Sequence, residues 1–206
     1  MCGRATLTAS PDELREVFDL DHVPDMPPRF NIAPSQPLPV IREPRRLELF
    51  TWGAPGRHRV NARVESAPVA PAARCLVVVD GFYEWRAGDR QPFYFHRVDH
   101  KPFAVGGVIT GTGMCVIATC PAAAAVVDIH DRMPVVLARG DWSRWLAGDK
   151  PAATLEGMDR YPVSKVVNSP RNDGPECLAR APAPDAQAQL GLFAPPARTA
   201  TARPMR

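Results

Sequence analysis

Proline sets the strongest limit on what this chain can fold into. The sequence has 24 prolines in 206 residues, and six of them fall between residues 21 and 39. Proline lacks the amide proton that a helix interior or a sheet ladder requires. We therefore predict that residues 21–39 form neither a helix nor a central strand.

The segment before this stretch has the pattern of a capped helix. A Ser-Pro-Asp-Glu sequence begins at Ser10, and it combines an N-cap, a proline at the first helical position and the glutamate of a capping box. Apolar residues then recur at helical spacing, which predicts a helix ending near Leu20. The apolar residues are Leu14, Val17 and Phe18. A second, short helix is predicted for residues 141–146, with Asp141 as its N-cap.

Short apolar or alternating runs predict strands through most of the remaining chain. The continuous apolar run Cys75–Val79 is typical of a buried strand, and it leads into an aromatic-rich strand ending at Trp85. Further strands are predicted at 38–42, 46–52, 91–98, 102–109, 114–119 and 161–167. There is no long repeat and no regular alternation of strand and helix. We expect an α+β fold, with one domain of mixed or antiparallel strands and a few short helices over residues 1–179.

Residues 180–206 have a different composition. Alanine, proline, arginine, glutamine and threonine dominate, and such a segment cannot bury enough apolar surface to become ordered, so we predict a disordered tail. Four arginines against Asp185 give this tail a charge equal to the net +3 of the whole chain. The domain before it is therefore near neutral, and any anion site there must be local.

The cysteine pattern and the hydropathy pattern limit the metal sites and the cellular location that we expect for the protein. The five cysteines have neither CxxC nor Cys/His spacing, so we expect no structural zinc. We also expect no other metal and no cofactor. We see no apolar signal segment and no run of about 18 apolar residues that could span a membrane. We expect a cytoplasmic protein with reduced thiols.

Cys2 is the first candidate for chemistry. Removal of Met1 would give Cys2 both an α-amine and a thiol, with reference pKa values of about 7.7–8.0 and about 8.5. Such a pair condenses with an aldehyde, because the amine forms a Schiff base and the thiol then closes a thiazolidine ring. Without that removal, Cys2 is an ordinary cysteine.

Three residues are candidates for proton transfer or positioning. Glu84 lies between two aromatic residues, where desolvation would raise its pKa and suit it to general acid catalysis; otherwise it faces solvent on an alternating strand. His130 is either a proton shuttle or an oriented loop histidine. Asn61 either hydrogen-bonds an intermediate or holds a turn.

Four residues are candidates for contacts with a nucleic acid. Arg4 and Arg63 either bind phosphates or contribute surface charge. Trp52 and Trp85 either stack on bases, an interaction worth roughly 1–3 kcal/mol per base, or belong to the core, which is the usual position of tryptophan.

Six motifs taken together resemble one known family. They are M-C-G-R at 1–4, R-F-N-I-A-P at 29–34, N-A-R-V-E at 61–65, D-G-F-Y-E-W at 80–85, D-I-H-D-R-M-P at 128–134 and V-S-x-V-V-N at 163–168. In this order they closely resemble the SOS-response-associated peptidase (SRAP) family of abasic-site processing proteins. The resemblance extends from Met1 to about Leu178.

The resemblance implies a chemistry for the candidates. Cys2, exposed by loss of Met1, would capture the aldehyde of an abasic site in single-stranded DNA as a thiazolidine crosslink that protects the lesion. Asn61 would position the crosslinked group, while Glu84 and His130 would transfer protons. The family's name also implies a peptidase activity that removes Met1.

The resemblance also implies a DNA-binding surface. Its DNA contacts would come from Arg4, Arg63, Trp85 and Thr119, with Asn31 and Pro34 shaping the site and Trp52 as a further candidate for stacking. The family usually has a longer segment, with a second tryptophan, where this chain has residues 53–60. We expect a monomer associated with the nucleoid.

One motif lies in the predicted tail. Gln189, Leu190, Leu192 and Phe193 resemble the Q-L-x-L-F peptide that docks on the bacterial sliding clamp, in which two leucines and an aromatic residue anchor an extended segment. The sequence thus predicts the clamp as a partner.

Two other functions remain open on the sequence alone. The chain could be an N-terminal-nucleophile hydrolase in which Cys2 attacks an amide and its own amine is the base. It could also be a non-catalytic module that binds single-stranded DNA, with Cys2 incidental.

Overall fold

Two sheets make up the domain. The structure is a computed structural model that describes residues 2–42, 45–56 and 59–182. In the order of the chain, the strands in these residues are β1 Arg4–Leu7, β2 Arg29–Ile32, β3 Pro37–Ile41, β4 Leu47–Trp52, β5 Asn61–Arg63, β6 Arg74–Val79, β7 Gly81–Trp85, β8 Pro92–Arg97, β9 Phe103–Gly111, β10 Met114–Pro121, β11 Arg132–Pro134, β12 Val136–Leu137 and β13 Met158–Pro162. The α-helices are α1 Pro11–Phe18 and α2 Trp142–Leu146.

The smaller sheet is antiparallel and the larger is mixed. The smaller has the order β13-β8-β7-β1-β2, so β1 lies between β7 and β2. In the larger, β4, β3, β6, β9 and β10 pair in turn and β10 pairs again with β4, which closes a barrel-like ring. The β10–β4 and β10–β5 pairs are parallel and the others antiparallel. The predicted α+β class with mixed or antiparallel strands is confirmed.

The strand predicted to be buried is the centre of the larger sheet. All six residues of β6 are buried, and β6 lies between β3 and β9. A run of β-branched residues fits this position because neither face of the strand meets water. One extended apolar cluster packs against both sheets and includes Cys2, at 1% exposure.

Both predicted helices are present. The Ser10 hydroxyl accepts a hydrogen bond from the Glu13 amide at 3.2 Å, and α1 ends at Phe18, where Asp19 adopts a left-handed conformation (φ 53°). Asp141 holds the N-cap position of α2 as predicted, but its side chain does not cap the helix. The Asp141 side chain makes no capping hydrogen bond and instead accepts one from Arg144 at 2.8 Å.

The proline-rich stretch contains more strand than its composition predicted. β2 is an edge strand, which the prediction allowed, but β3 begins inside the stretch and is an interior strand, so the prediction is wrong there. Pro37 and Pro39 pair with β4 alone, whereas β6 pairs only with Val40 and Ile41. The prolines therefore occupy the half of β3 whose other edge has no strand partner among the described residues.

The last strand lies earlier than predicted. β13 ends at Pro162, and residues Lys165–Asn168 form a 3-10 helix that begins with the Ser164 hydroxyl accepting from the Val166 amide at 3.3 Å. The prediction mistook Val163 and Val167 for strand residues, because both are buried although the chain between them turns.

The end of the described chain packs on this segment. Arg180 pairs with Val163, its guanidinium lies 4.2 Å from the centroid of the Tyr161 ring, and the Ala181 amide donates to Pro162 O at 2.9 Å. Residues 183–206, most of the predicted disordered tail, lie outside the described residues, as do the clamp-motif residues Gln189, Leu190, Leu192 and Phe193. Within the described chain, no helix is long and apolar enough to cross a bilayer.

Candidate active site and adjoining cleft

Cys2 is held where the two sheets meet. It lies two residues before Arg4, the first residue of β1, and the pairing of β1 with β7 sets Arg4 opposite Tyr83. Continued by one residue, this register places Gly3 beside Glu84. On the other side, the Asn61 side-chain amide donates to the Cys2 carbonyl oxygen at 2.8 Å. The smaller sheet thus supplies Cys2 and Glu84, and the larger supplies Asn61.

Asn61 is itself firmly positioned. It begins β5, pairs with Ile117 of β10 and is 8% exposed. Its side-chain oxygen is buried and accepts no hydrogen bond from the residues that the structure describes. Because an amide oxygen is an acceptor, Asn61 can bind a donor on a group attached next to Cys2 while its nitrogen holds the Cys2 carbonyl.

Burial controls the protonation of Cys2 and Glu84. Burial, and then the negative charge of Glu84, raise the pKa of the Cys2 thiol, so the thiol stays protonated at neutral pH. Glu84 is 1% exposed, and burial raises the pKa of its carboxyl to about 7. The solvent-facing alternative for Glu84 is therefore wrong. A carboxyl with this pKa can both donate and accept a proton near neutral pH.

His130 lies in the loop between β10 and β11 and has two partners for one ring nitrogen. Nδ1 is 3.0 Å from the Arg132 amide nitrogen and 2.8 Å from a carboxylate oxygen of Asp131. A neutral ring with its proton on Nε2 accepts from the Arg132 amide, whereas a ring with a proton on Nδ1, neutral or charged, donates to Asp131. Burial lowers the pKa of His130, which favours the neutral ring. The charge of Asp131 also contributes to the raised pKa of Glu84, so this loop lies near that carboxyl.

A cleft of about 420 Å³ lies beside Gly3, the residue that follows Cys2. Its walls are formed by Gly3, Arg4, Pro34, Trp85, Arg90 and Asn168. Three of these, Arg4, Pro34 and Trp85, were predicted DNA-site residues, and the structure brings them together. Arg90 belongs to none of the sequence motifs. Asn168 is the last residue of the motif V-S-x-V-V-N, so that motif could have identified Asn168 as a site residue.

Arg4 is bound into the wall of this cleft. One terminal nitrogen donates to the Asn31 side-chain oxygen at 2.9 Å and to Val167 O at 2.6 Å, and the other donates to Asn168 O at 3.1 Å. These three acceptors occupy most of the guanidinium, so the first role of Arg4 is to join β1 to residues 167 and 168.

Asn31 acts behind the cleft rather than in it. It is fully buried, and its side-chain nitrogen lies 3.1, 3.0 and 2.7 Å from the carbonyl oxygens of Val167, Ser169 and Asn172. Asp173 completes this support, because its carboxylate accepts from the Phe30 and Asn31 amides, both at 2.7 Å, and from Arg29. The R-F-N motif therefore holds the C-terminal segment against β2.

Trp85 presents a fixed aromatic ring to the cleft. Its indole N–H donates to the Asn168 side-chain oxygen at 2.8 Å, and the Arg4 guanidinium lies 5.8 Å from its ring centroid. The residue is only partly buried. A fixed, accessible ring suits stacking with a base.

The other predicted DNA residues have different surroundings. Trp52 is 1% exposed and its indole donates to Val60 O at 2.8 Å, so its burial supports the core interpretation. Thr119 is also 1% exposed, and its hydroxyl accepts from Arg132 at 3.2 Å. Arg63 pairs with Thr119 between β5 and β10 and is exposed. Within the described chain, no cluster of three or more His, Cys, Asp or Glu could hold a metal ion.

Comparison with known proteins gives a consistent match. The family model described as SOS response associated peptidase (SRAP) matches residues 1–170. The abasic site processing protein YoaM of Bacillus subtilis is 33% identical over 86% of this chain and 97% of its own length. The abasic site processing protein YedK of Escherichia coli is 29% identical over 86% of this chain and 99% of its own. A crystal structure of a Bacteroides thetaiotaomicron protein, 18% identical, covers 87% of this chain and 100% of its own with a TM-score of 0.71, and it supports the fold.

Proposed function

This chain belongs to the SOS response associated peptidase family, and we propose that it processes abasic sites by capturing their aldehyde on Cys2. The names of its relatives support abasic-site processing. The observation that carries the covalent step is the placement of Cys2 between a buried carboxyl of pKa about 7 and the amide of Asn61.

The proposed reaction begins after Met1 has been removed. The Cys2 amine adds to the aldehyde carbon of the open-chain sugar to give a carbinolamine, which loses water to form an imine. The thiol sulfur then adds to the carbon of the protonated imine, while a base takes up the thiol proton. The product is a thiazolidine in which the former aldehyde carbon is bonded to both nitrogen and sulfur, with one water released.

Glu84 and His130 supply the proton transfers that these steps need. Loss of water from the carbinolamine requires a proton on the departing hydroxyl, and a protonated Glu84 can donate it. The resulting carboxylate can then accept the thiol proton. We assign to His130 the opening of the cyclic sugar, because a neutral ring whose Nδ1 proton is donated to Asp131 can accept a hydroxyl proton on Nε2, and Asp131 then stabilises the charged ring.

The cleft beside Cys2 suits a single strand. Trp85 offers a ring for base stacking, which tolerates any sequence, and the lesion itself presents no base to read. The first 179 residues are near neutral, so affinity must come from a few local cations. We propose that the protein acts on single-stranded DNA in the nucleoid as a monomer.

One gel assay tests the covalent step. The full chain is incubated with a single-stranded oligonucleotide containing one abasic site and analysed under denaturing conditions. We expect a covalent band that needs no reductant. Cys2→Ser keeps the amine but not the thiol, so its band should appear only after borohydride reduction of the imine. Cys120→Ser, at a half-buried cysteine outside the site, should crosslink normally.

Other outcomes would identify the alternatives. If Cys2→Ser crosslinks like wild type without borohydride, the thiazolidine proposal is wrong. Amide hydrolysis without any band would support the N-terminal-nucleophile hydrolase. Binding that is indifferent to Cys2, without a band, would support the non-catalytic module.

The removal of Met1 has its own test. Intact-mass measurement of the purified protein should show Cys2 as the first residue. Comparing Glu84→Gln and Cys2→Ala with wild type separates self-cleavage from an aminopeptidase, because only self-cleavage needs the site. A crosslinking protein that retains Met1 would contradict the mechanism, since its amine would be an amide.

We further propose that Gln189, Leu190, Leu192 and Phe193 dock on the bacterial sliding clamp. Two leucines and an aromatic residue in an extended segment fit an apolar pocket. The double variant Leu192→Ala/Phe193→Ala should abolish clamp binding in a pull-down with purified clamp. Pro195→Ala/Pro196→Ala in the same segment should not. Equal binding by all three proteins would refute the proposal.

A further inference from the structure

The turn between β7 and β8 is built tightly around one arginine. The Arg86 amide donates to Gln91 O at 2.9 Å and the Arg90 amide donates to Arg86 O at 3.0 Å. The Arg86 guanidinium forms a bidentate pair with Asp89, at 3.0 and 2.6 Å, and the Gln91 amide donates to the same carboxylate at 3.1 Å. The turn is therefore held by its own hydrogen bonds.

Arg90 adopts an unfavourable backbone conformation. Its φ is 56°, in the left-handed region that costs a non-glycine residue roughly 1–2 kcal/mol. Such conformations concentrate at functional positions, where the surrounding structure maintains them. Here the conformation belongs to a residue whose side chain lines the cleft beside Cys2.

The charge of Arg90 is available to a ligand. Among residues 2–42, 45–56 and 59–182, no carboxylate forms an ion pair with Arg90, and the carboxylate next to it in the chain, Asp89, is already bound by Arg86. Arg4, the other arginine of the cleft, is bound by three acceptors in the wall. Arg90 is thus the cation of this cleft that is best able to bind an incoming anion.

From this geometry we propose that Arg90 binds a backbone phosphate of the single strand whose base stacks on Trp85. The two residues lie at opposite ends of the turn segment and line the same cleft, so one can contact the base while the other contacts its phosphate. An arginine suits this role because its planar guanidinium can bind two phosphate oxygens. This inference rests on the proposed single-strand binding, and it adds a residue that the family motifs do not contain.

The test is the salt dependence of non-covalent binding to an undamaged oligonucleotide, followed by fluorescence anisotropy. Each phosphate contact contributes about 0.7 to the slope of log K against log salt for a single strand. We expect Arg90→Gln to reduce the slope by about 0.7 and to weaken binding about fivefold at low salt. Arg90→Lys should restore most of the slope.

Two control variants separate the loss of the Arg90 charge from a change in the fold and from a general loss of positive charge. Arg90→Gly removes the charge but favours the left-handed conformation, so it should reproduce the binding defect of Arg90→Gln without any loss of thermal stability. Arg15→Gln removes an exposed arginine from α1 and should leave the slope unchanged. A wild-type slope in Arg90→Gln and Arg90→Gly, or an equal loss in Arg15→Gln, would overturn the proposal.

The test is independent of the crosslink. An undamaged oligonucleotide has no aldehyde, so a failure of the Cys2 chemistry leaves this measurement intact. Conversely, if crosslinking proceeds normally and Arg90→Gln still binds with the wild-type slope, only the phosphate contact is wrong.

Discussion

The Asn61 side-chain amide donates a hydrogen bond of 2.8 Å to the backbone carbonyl oxygen of Cys2. Through this contact, the larger sheet holds a residue that precedes β1, an interior strand of the smaller one. The position of the proposed nucleophile therefore depends on both sheets at once, and a side chain 59 residues away sets its backbone orientation.

Asn61→Ala should slow crosslinking more than it weakens the fold. Loss of one positioning hydrogen bond beside the reacting atoms is expected to reduce the single-turnover rate about tenfold, equivalent to about 1.4 kcal/mol. Thr110→Val is a matched control, because it removes a side-chain hydrogen bond of 2.6 Å to Gly53 O. Equal rate losses in both variants would show that Asn61 has only a structural role.

Glu84→Gln should change the pH dependence of stability. Burial raises the pKa of Glu84 from 4.5 to about 7, so between these values the native state holds a proton that the unfolded chain has released. The free energy of unfolding of the wild type, compared with that of Glu84→Gln, is therefore highest below pH 4.5. This advantage is lost as the pH rises through 7.

The size of this effect can be bounded. The shift corresponds to at most about 3 kcal/mol in the free energy of unfolding above pH 7. Denaturant titrations of both proteins at pH 4.5, 6 and 8 would measure it. A difference that does not vary with pH would contradict the raised pKa.

Asn168→Ala should weaken binding of single-stranded DNA without affecting the chemistry at Cys2. The variant removes the acceptor that orients the Trp85 indole, at 2.8 Å, and so forfeits part of the roughly 1–3 kcal/mol of a stacked base. Anisotropy titrations should show about fivefold weaker binding. Asn172→Ala, which loses a hydrogen bond to Val166 O in the same segment, is the control. If Asn172→Ala binds as weakly, the defect comes from the segment and not from Trp85.

Asp173→Asn should destabilise the domain by about 2–3 kcal/mol. The carboxylate accepts from two backbone amides and pairs with Arg29, and an amide group cannot serve all three donors. Thermal or chemical denaturation would show the loss. Asp99→Asn breaks the more exposed pair with Arg97 and should cost less than about 1 kcal/mol. Similar losses in the two variants would refute the account of Asp173.

Local signals in the sequence predicted the elements that depend on local physics. The capped helix α1 and the buried strand β6 are correct because a cap and an apolar run act within a few residues. The burial of Glu84 did not follow from local signals, since the sequence left a desolvated and a solvent-facing side chain both open, and the packed structure decides between them.

Contacts between distant segments could not be read in this way. Asn31 is a support for Arg4 only because residues 167–173 return to β2, more than 130 positions later. Trp52 and Trp85 are the same residue type, and only the closed larger sheet determines that the first is in the core. Arg90 depends on a turn whose left-handed residue is not a glycine, so composition gives no warning of it.

The position of β1 fixes how far Cys2 lies from the smaller sheet. Arg4 is fixed opposite Tyr83, so Cys2 stands a set distance from the sheet, about 3.3 Å for each residue. Inserting a single residue between Gly3 and Arg4 would move Cys2 by that amount and direct its side chain to the opposite face. Spacing from the strand, as much as residue type, therefore defines the position of the proposed nucleophile relative to Glu84 and Asn61.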